Sequence, residues 1–140
     1  MIVVDASVAV KLYRDEAGSD AAIELFEANA GDISVPDLFA IEVAGALVRD
    51  ANIDKHESAA KLEKLDNFST LLTSPALHRV RTDSHDTIAA AQLAVAIGHP
   101  LKDCIYLALA MELGCDLVTC DARFAAKAKG VWAGVRVLGA

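Results

Sequence analysis

Short runs of strand-forming residues alternate with helical patterns along this chain, and that alternation restricts its architecture more than any other feature. Ile2 to Val4 is apolar and β-branched, the signature of a strand covered on both faces, and Ser7 to Arg14 reads as a helix behind it. A further helix opens at Gly18 and Ser19, with Ile23, Leu25 and Phe26 as its apolar residues. Ile33 to Val35 is a second strand, held extended by Pro36, and Asp37 stands where it can cap a helix running to about Asn52. Asp54 followed by Glu57 has the form of a capping box, opening a helix in which Leu65, Phe68 and Leu72 recur at helical spacing. These two helices make a hairpin from Leu38 to Leu72. Ala76 to Arg81 alternates weakly, as a strand does. Ser84 to Ile97 and Lys102 to Leu113 are alanine-rich helices parted by the turn Gly98-His99-Pro100. Asp116 to Cys120 predicts a strand, Arg123 to Lys129 a short helix and Val135 to Leu138 a closing strand. Strands separated by helices require a parallel sheet, because right-handed crossovers lay the helices on both of its faces. The expected fold class is therefore α/β, a three-layer sandwich with a central, mostly parallel sheet flanked by helices.

A chain of 140 residues suits one domain spanning 1–140, and no repeat, linker or low-complexity tract divides it. Hydrophobic residues make up 54% but aromatics only 5%, so the core must be built from Ala, Val, Leu and Ile. Cys104, Cys115 and Cys120 are odd in number and form no Cys-x-x-Cys pair, which argues for small core thiols rather than disulfides or a zinc knuckle. Asp5 interrupts any signal-peptide core, and the longest uncharged stretch, Thr87 to Leu101, falls short of the roughly 20 apolar residues that span a bilayer. A cytoplasmic protein without a membrane anchor is expected. The net charge of −7 argues against general, salt-driven coating of nucleic acid. Lys11 and Arg14, with Arg123, Lys127 and Lys129, form either a local basic rim or an ordinary solvated surface.

In sheets of this kind ligands sit outside the carboxyl ends of the strands. Asp5 ends IVVD and Asp121 ends DLVTCD, so two strands finish on acids. Two more acids break apolar helical runs: Glu42 stands alone in LFAIEVAGALV, and Asp103 begins KDCIYLALAMELG. Asp103 also suits a helix cap and Asp121 a turn. Glu42 and Asp5 have no such easy alternative, since a lone acid among apolar residues is rarely buried without a partner. Two carboxylates about 4 Å apart repel by roughly 4 kcal/mol at an effective dielectric of 20, so a cluster of four must take up protons or a cation. Oxygen-only ligands favour Mg²⁺ or Mn²⁺.

At this point the chain resembles the PIN-domain nucleases and, within them, the VapC-type toxins of bacterial and archaeal toxin–antitoxin pairs. The resemblance is carried by MIVVDASVAVKL, the helix bearing Glu42, the segment LKDCIYLALAMELGCDLVTCD and the closing VRVL, and so covers nearly the whole chain. It implies a metal-dependent endoribonuclease. Asp5 and Asp103 would hold Mg²⁺ or Mn²⁺ directly, Glu42 and Asp121 through water or at a second ion, and Ser7 and Thr119 would orient a carboxylate or water. It further implies RNA as substrate, 5′-phosphate and 3′-hydroxyl products, a small VapB-type antitoxin whose tail covers the acidic groove, and a homodimer. The Leu38–Leu72 hairpin offers apolar surface for either partner, or simply packs into the core.

No histidine is needed by this scheme. His85-Asp86 hints only weakly at a metal phosphohydrolase and reads far more readily as a solvated helix start, while His56, His78 and His99 lie in polar or turn contexts. A non-catalytic PIN-like module that binds RNA or a partner through the same groove is the alternative function. A phospho-accepting receiver would want paired acids at Val4-Asp5, and a haloacid-dehalogenase-like phosphatase would want an acid at Ser7.

Overall fold

The computed structural model describes residues 1–140, and its strands are β1 (Ile2–Val4), β2 (Ile33–Pro36), β3 (Leu77–Val80), β4 (Asp116–Thr119) and β5 (Val135–Val137). They form one sheet in the order β3-β2-β1-β4-β5, and every paired neighbour is parallel. The expectation of a mostly parallel sheet is thus met in full. Ile2 lies opposite both Ile33 and Asp116, which makes β1 the central strand. Its Val3 and Val4 are completely buried, as an unbroken β-branched run flanked on both sides predicts.

Seven α-helices connect and cover the strands: α1 (Ala6–Val10), α2 (Ser19–Ala28), α3 (Leu38–Ile53), α4 (Ser58–Thr73), α5 (Ser84–Ile97), α6 (Leu101–Leu113) and α7 (Ala122–Ala128). One continuous core of 30 buried residues joins both layers to the sheet. Its largest members include Tyr106, Phe39, Phe124, Ile33, Leu107 and Leu117, each of the aliphatic ones contributing about 1.5–3 kcal/mol by leaving water. Small residues such as Ala90, Ala94 and Ala110 complete it, as the scarcity of aromatics requires. Cys104 is buried, and burial pushes its thiol up to about 11, so it behaves as a small core residue.

Three local expectations need correction. Asp37 makes no cap bond to α3; its Oδ2 accepts instead from the backbone N–H of Thr82, tying the end of β2 to the segment after β3. Asp54 and Glu57 form no capping box, because the Asp54 side chain accepts from His56 N and closes a 3₁₀ turn over Lys55–Glu57 before α4 begins. A reciprocal box does open α5, where Asp83 and Asp86 each accept from the other's backbone N–H, so His85-Asp86 belongs to a solvated helix start. The first helix is also shorter than Ser7 to Arg14, ending at Val10 and passing into a 3₁₀ turn over Lys11–Tyr13.

The strand order places a topological switch beside β1. After β1 the chain moves to β2 and β3 on one side, then returns to β4 and β5 on the other, so the carboxyl ends of β1 and β4 border the crevice where ligands bind in such sheets.

Candidate active site

Asp5 follows β1 and Asp121 follows β4, one on each side of that crevice. The backbone N–H of Asp5 still bonds to the Val118 carbonyl at 3.0 Å, which holds the residue in the sheet while its side chain turns to cap α1. Asp5 Oδ1 accepts from Ser7 N at 3.1 Å, and Oδ2 accepts from the Thr119 hydroxyl at 2.8 Å. Asp5 is only 5% exposed. Burial pushes its carboxyl up to about 6, against the pull of the Ser7 and Thr119 hydrogen bonds, and the nearby charges of Asp103 and Glu42 add to the rise. This environment favours a proton over a bare carboxylate, and a cation is the alternative counter-charge.

Thr119 is fully buried at the end of β4 and serves two acids. Besides donating to Asp5, its hydroxyl accepts from Asp121 N at 3.1 Å. Asp121 then caps α7, with Oδ1 accepting from Phe124 N at 2.9 Å. Ser7 contributes through its backbone N–H; its hydroxyl accepts from Cys120 N at 3.1 Å and fastens the β4–α7 loop to α1, rather than touching an acid. The Thr119 hydroxyl is therefore bonded to a carboxylate, and the Ser7 hydroxyl to the β4–α7 loop.

Glu42 and Asp103 enter the crevice from two helices. Glu42 sits one turn into α3, and its Oε1 accepts from the Tyr106 hydroxyl at 2.7 Å. Tyr106 is fully enclosed, and burial, followed by the charge and hydrogen bond of Glu42, drives its hydroxyl pKa far above the ordinary value. The phenol stays protonated and acts as a fixed donor. Asp103 lies in the first turn of α6, and its Oδ2 meets His99 Nε2 at 2.5 Å.

All four acids line one open groove of about 400 Å³, together with Lys11, Arg14 and Arg49. Lys11 Nζ bonds to Glu16 and to the Ala17 carbonyl, and Arg14 makes a two-pronged pair with Asp50 at 2.8 and 2.9 Å. Arg49 makes no ion pair or hydrogen bond within the protein and is exposed on the groove wall. Of the proposed basic rim, Lys11 and Arg14 lie at the site; Lys127 instead bonds to the Gly98 carbonyl at 2.7 Å. Two residues were missed in the sequence. His99 looked like part of a turn, yet stands four residues before Asp103, a contact distance on a helix start. Arg49 lies seven residues after Glu42, two turns along the same helix face.

The donor set suits a hard divalent cation. Asp103 Oδ1, Asp121 Oδ2 and Glu42 Oε2 carry no hydrogen bond from the protein and remain available as oxygen ligands, while Asp5 is fixed at both oxygens by donors that hold it in one orientation. His99, Asp103 and Asp121 each offer a ligand atom within 4.8 Å of the others.

Residues 2–130 match the family model for the PIN domain. Ribonuclease VapC3 of Pyrobaculum aerophilum is 33% identical over 129 residues, covering 90% of this chain and 93% of that protein. Two solved structures share the fold. PAE2754 from Pyrobaculum aerophilum has a TM-score of 0.71 at 23% identity, over 98% of this chain and 88% of the other. A toxin–antitoxin complex from Klebsiella pneumoniae contains a chain with a TM-score of 0.65 at 17% identity, over 97% and 96%. The parallel sheet, the acids around its switch point and this near full-length match together establish that the chain belongs to the PIN-domain family.

Proposed function

We propose that the protein is a metal-dependent endoribonuclease that hydrolyses RNA phosphodiester bonds and acts as the toxin of a toxin–antitoxin pair. The observation that carries this reading is the convergence of Asp5, Glu42, Asp103 and Asp121 on one groove, each with a dedicated hydrogen-bond donor. The full-length similarity to a ribonuclease VapC supports the RNA substrate.

Asp5 and Asp103 would hold Mg²⁺ or Mn²⁺ directly, and Glu42 and Asp121 would act through water or at a second ion. When bound, such a cation activates water and neutralises phosphate charge during in-line attack at phosphorus. The protein's own part is positioning. Thr119 and Ser7 N lock the Asp5 carboxylate, Tyr106 holds Glu42, and the α7 cap holds Asp121. Arg49 is free to bind a backbone phosphate of the RNA, with Lys11 and Arg14 beside it. The expected products carry 5′-phosphate and 3′-hydroxyl ends.

The partner is a small VapB-type antitoxin, a reading supported by the toxin–antitoxin complex that shares this fold. The α3–α4 hairpin buries Phe39, Val43, Leu47 and Phe68 in the core while leaving Ile41, Ile53 and Leu62 exposed, so it serves packing on one face and offers apolar surface to an antitoxin or a second copy on the other. No single helix is long and apolar enough to cross a membrane. Action on cellular RNA as a toxin would take place in the cytoplasm.

The test is cleavage of structured RNA by the purified protein in Mg²⁺ or Mn²⁺. Cleavage should stop with a chelator and in Asp103→Asn, and growth arrest on expression should be relieved by a small reading frame adjoining its gene. RNA binding without cleavage under any divalent ion would replace this reading with a non-catalytic binding module.

A further inference from the structure

The Asp103 carboxylate has a single partner in the protein, the His99 ring, and everything around that ring holds it still. Gly98 ends α5 in the left-handed conformation, φ 65°, and the His99 backbone N–H bonds to the Ala94 carbonyl at 3.0 Å. Pro100 behind it restricts the His99 backbone to an extended conformation. Lys127 reaches from α7 to the Gly98 carbonyl and closes the turn against that helix. The His99 side chain is only 9% exposed, and its ring stacks on Phe124 with centroids 4.7 Å apart. Phe124 is fully buried, and its own backbone N–H donates to Asp121 Oδ1. One core residue thus fixes Asp121 through its backbone and His99 through its ring, and His99 in turn fixes Asp103.

A carboxylate that binds a cation can only accept, so in the metal-binding arrangement Nε2 is the donor of the 2.5 Å contact with Asp103 Oδ2. That bond restrains the Asp103 carboxylate and leaves Oδ1 without a partner in the protein, on a residue that lines the groove. We propose that His99 is a positioning residue of the acidic site, holding Asp103 in the orientation that binds the divalent cation without itself being a ligand. The inference rests on the metal-dependent reading above and adds to it a residue outside the four acids.

The probe is Mn²⁺ alone, titrated calorimetrically into the full-length protein. His99→Phe keeps a ring against Phe124 but removes the donor; His99→Gln places an amide N–H near the position of Nε2. Loss of a hydrogen-bond partner behind a metal ligand typically weakens affinity about 10–100-fold, so His99→Phe should lose that much while His99→Gln stays within about 3-fold of the parent. Unfolding of the metal-free variants checks the fold, and His99→Asn, whose amide stops short of Asp103, replaces His99→Phe if the latter fails to fold and should show the same loss. Unchanged Mn²⁺ affinity in the donor-less variant, or equal loss in His99→Gln, would overturn the inference while leaving the metal site standing. Absence of saturable Mn²⁺ uptake by the parent would overturn the metal reading and the inference with it. A directly bonded ¹⁴N coupling in the Mn²⁺ electron spin echo, lost in His99→Phe, would make His99 a ligand and also refute the positioning role.

Discussion

Replacing Asp5 by asparagine should abolish cleavage and yet stabilise the metal-free protein. The carboxyl is pushed from 3.8 to about 6, chiefly by burial. Below pH 3.8 both the folded and unfolded chains carry the proton and Asp5 contributes nothing. Between 3.8 and 6 the folded state holds the proton more tightly than the unfolded state, so stability falls as pH rises. Above 6 the full cost of an ionised, buried Asp5 is present, about 3 kcal/mol at roughly 1.4 kcal/mol per pH unit.

Asparagine removes the charge and keeps the oxygen that accepts from Ser7 N, so the α1 cap survives. Its amide N–H₂ faces the Thr119 hydroxyl, which must then accept where it formerly donated; that mismatch costs about 1 kcal/mol. The net gain at pH 7.5 is therefore about 2 kcal/mol, shrinking to nothing or reversing near pH 4. Urea unfolding of both proteins in excess chelator, at pH 4 and 7.5, measures it directly. Added Mn²⁺ should reverse the order at pH 7.5, because the parent gains binding energy that the variant lacks. A variant less stable than the parent at pH 7.5, or a difference that does not change with pH, would refute the account of a costly buried charge.

Thr119→Val keeps the shape of a fully buried residue but leaves Asp121 N–H and one Asp5 oxygen without a partner; it should cost about 1–3 kcal/mol in urea unfolding and weaken Mn²⁺ binding together. Tyr106→Phe removes the donor that fixes Glu42, so kcat should fall about 10-fold or more while stability changes by no more than about 1.5 kcal/mol; unchanged kcat would show that Glu42 needs no orienting bond. Arg49→Ala should raise KM for RNA with kcat and thermal stability unaltered, and the slope of log affinity against log salt should flatten by about 0.7, the value for one single-strand phosphate contact.

The sheet and its helices were legible because the central strands are compact apolar runs, while β3 and β5 showed only as short alternating segments between helical patterns. Ile2–Val4 and Ile33–Pro36 needed no tertiary information beyond that. Caps were less legible, because Asp37, Asp54 and Asp83 all offer the same side chain and the choice among them depends on what lies across space. Asp37 turns to Thr82, 45 residues away, a partner that no local pattern announces. The acids were legible for a different reason: Asp5 and Glu42 stand out as lone charges beside apolar runs, although Asp5 proves also to be the cap of α1. His99 escaped because it is well placed as local structure. A polar residue between Gly98 and Pro100 already satisfies the turn, and its use depends on Phe124 arriving from α7.

Asp103, weighed as a helix cap, caps nothing, while Asp121, weighed as a turn residue, caps α7 and still lines the groove, so a local role and a place in the groove do not compete there. A carboxylate has two oxygens, and a helix start consumes one. Asp121 gives Oδ1 to Phe124 N and turns Oδ2 to the groove; Asp5 caps α1 with Oδ1 and takes its second bond from Thr119. Asp103 sits in the first turn of α6, where an acid is favoured, and draws its one bond from His99. The backbone N–H groups at these helix starts are unsatisfied in any case and offset part of the repulsion among the acids. The local requirement of two helices, α1 and α7, therefore supplies part of the geometry of the site, and the His99 ring supplies the rest at Asp103. The remaining acid, Glu42, lies inside a helix where no free N–H is available, and it is the one that needs a tyrosine from another helix to hold it.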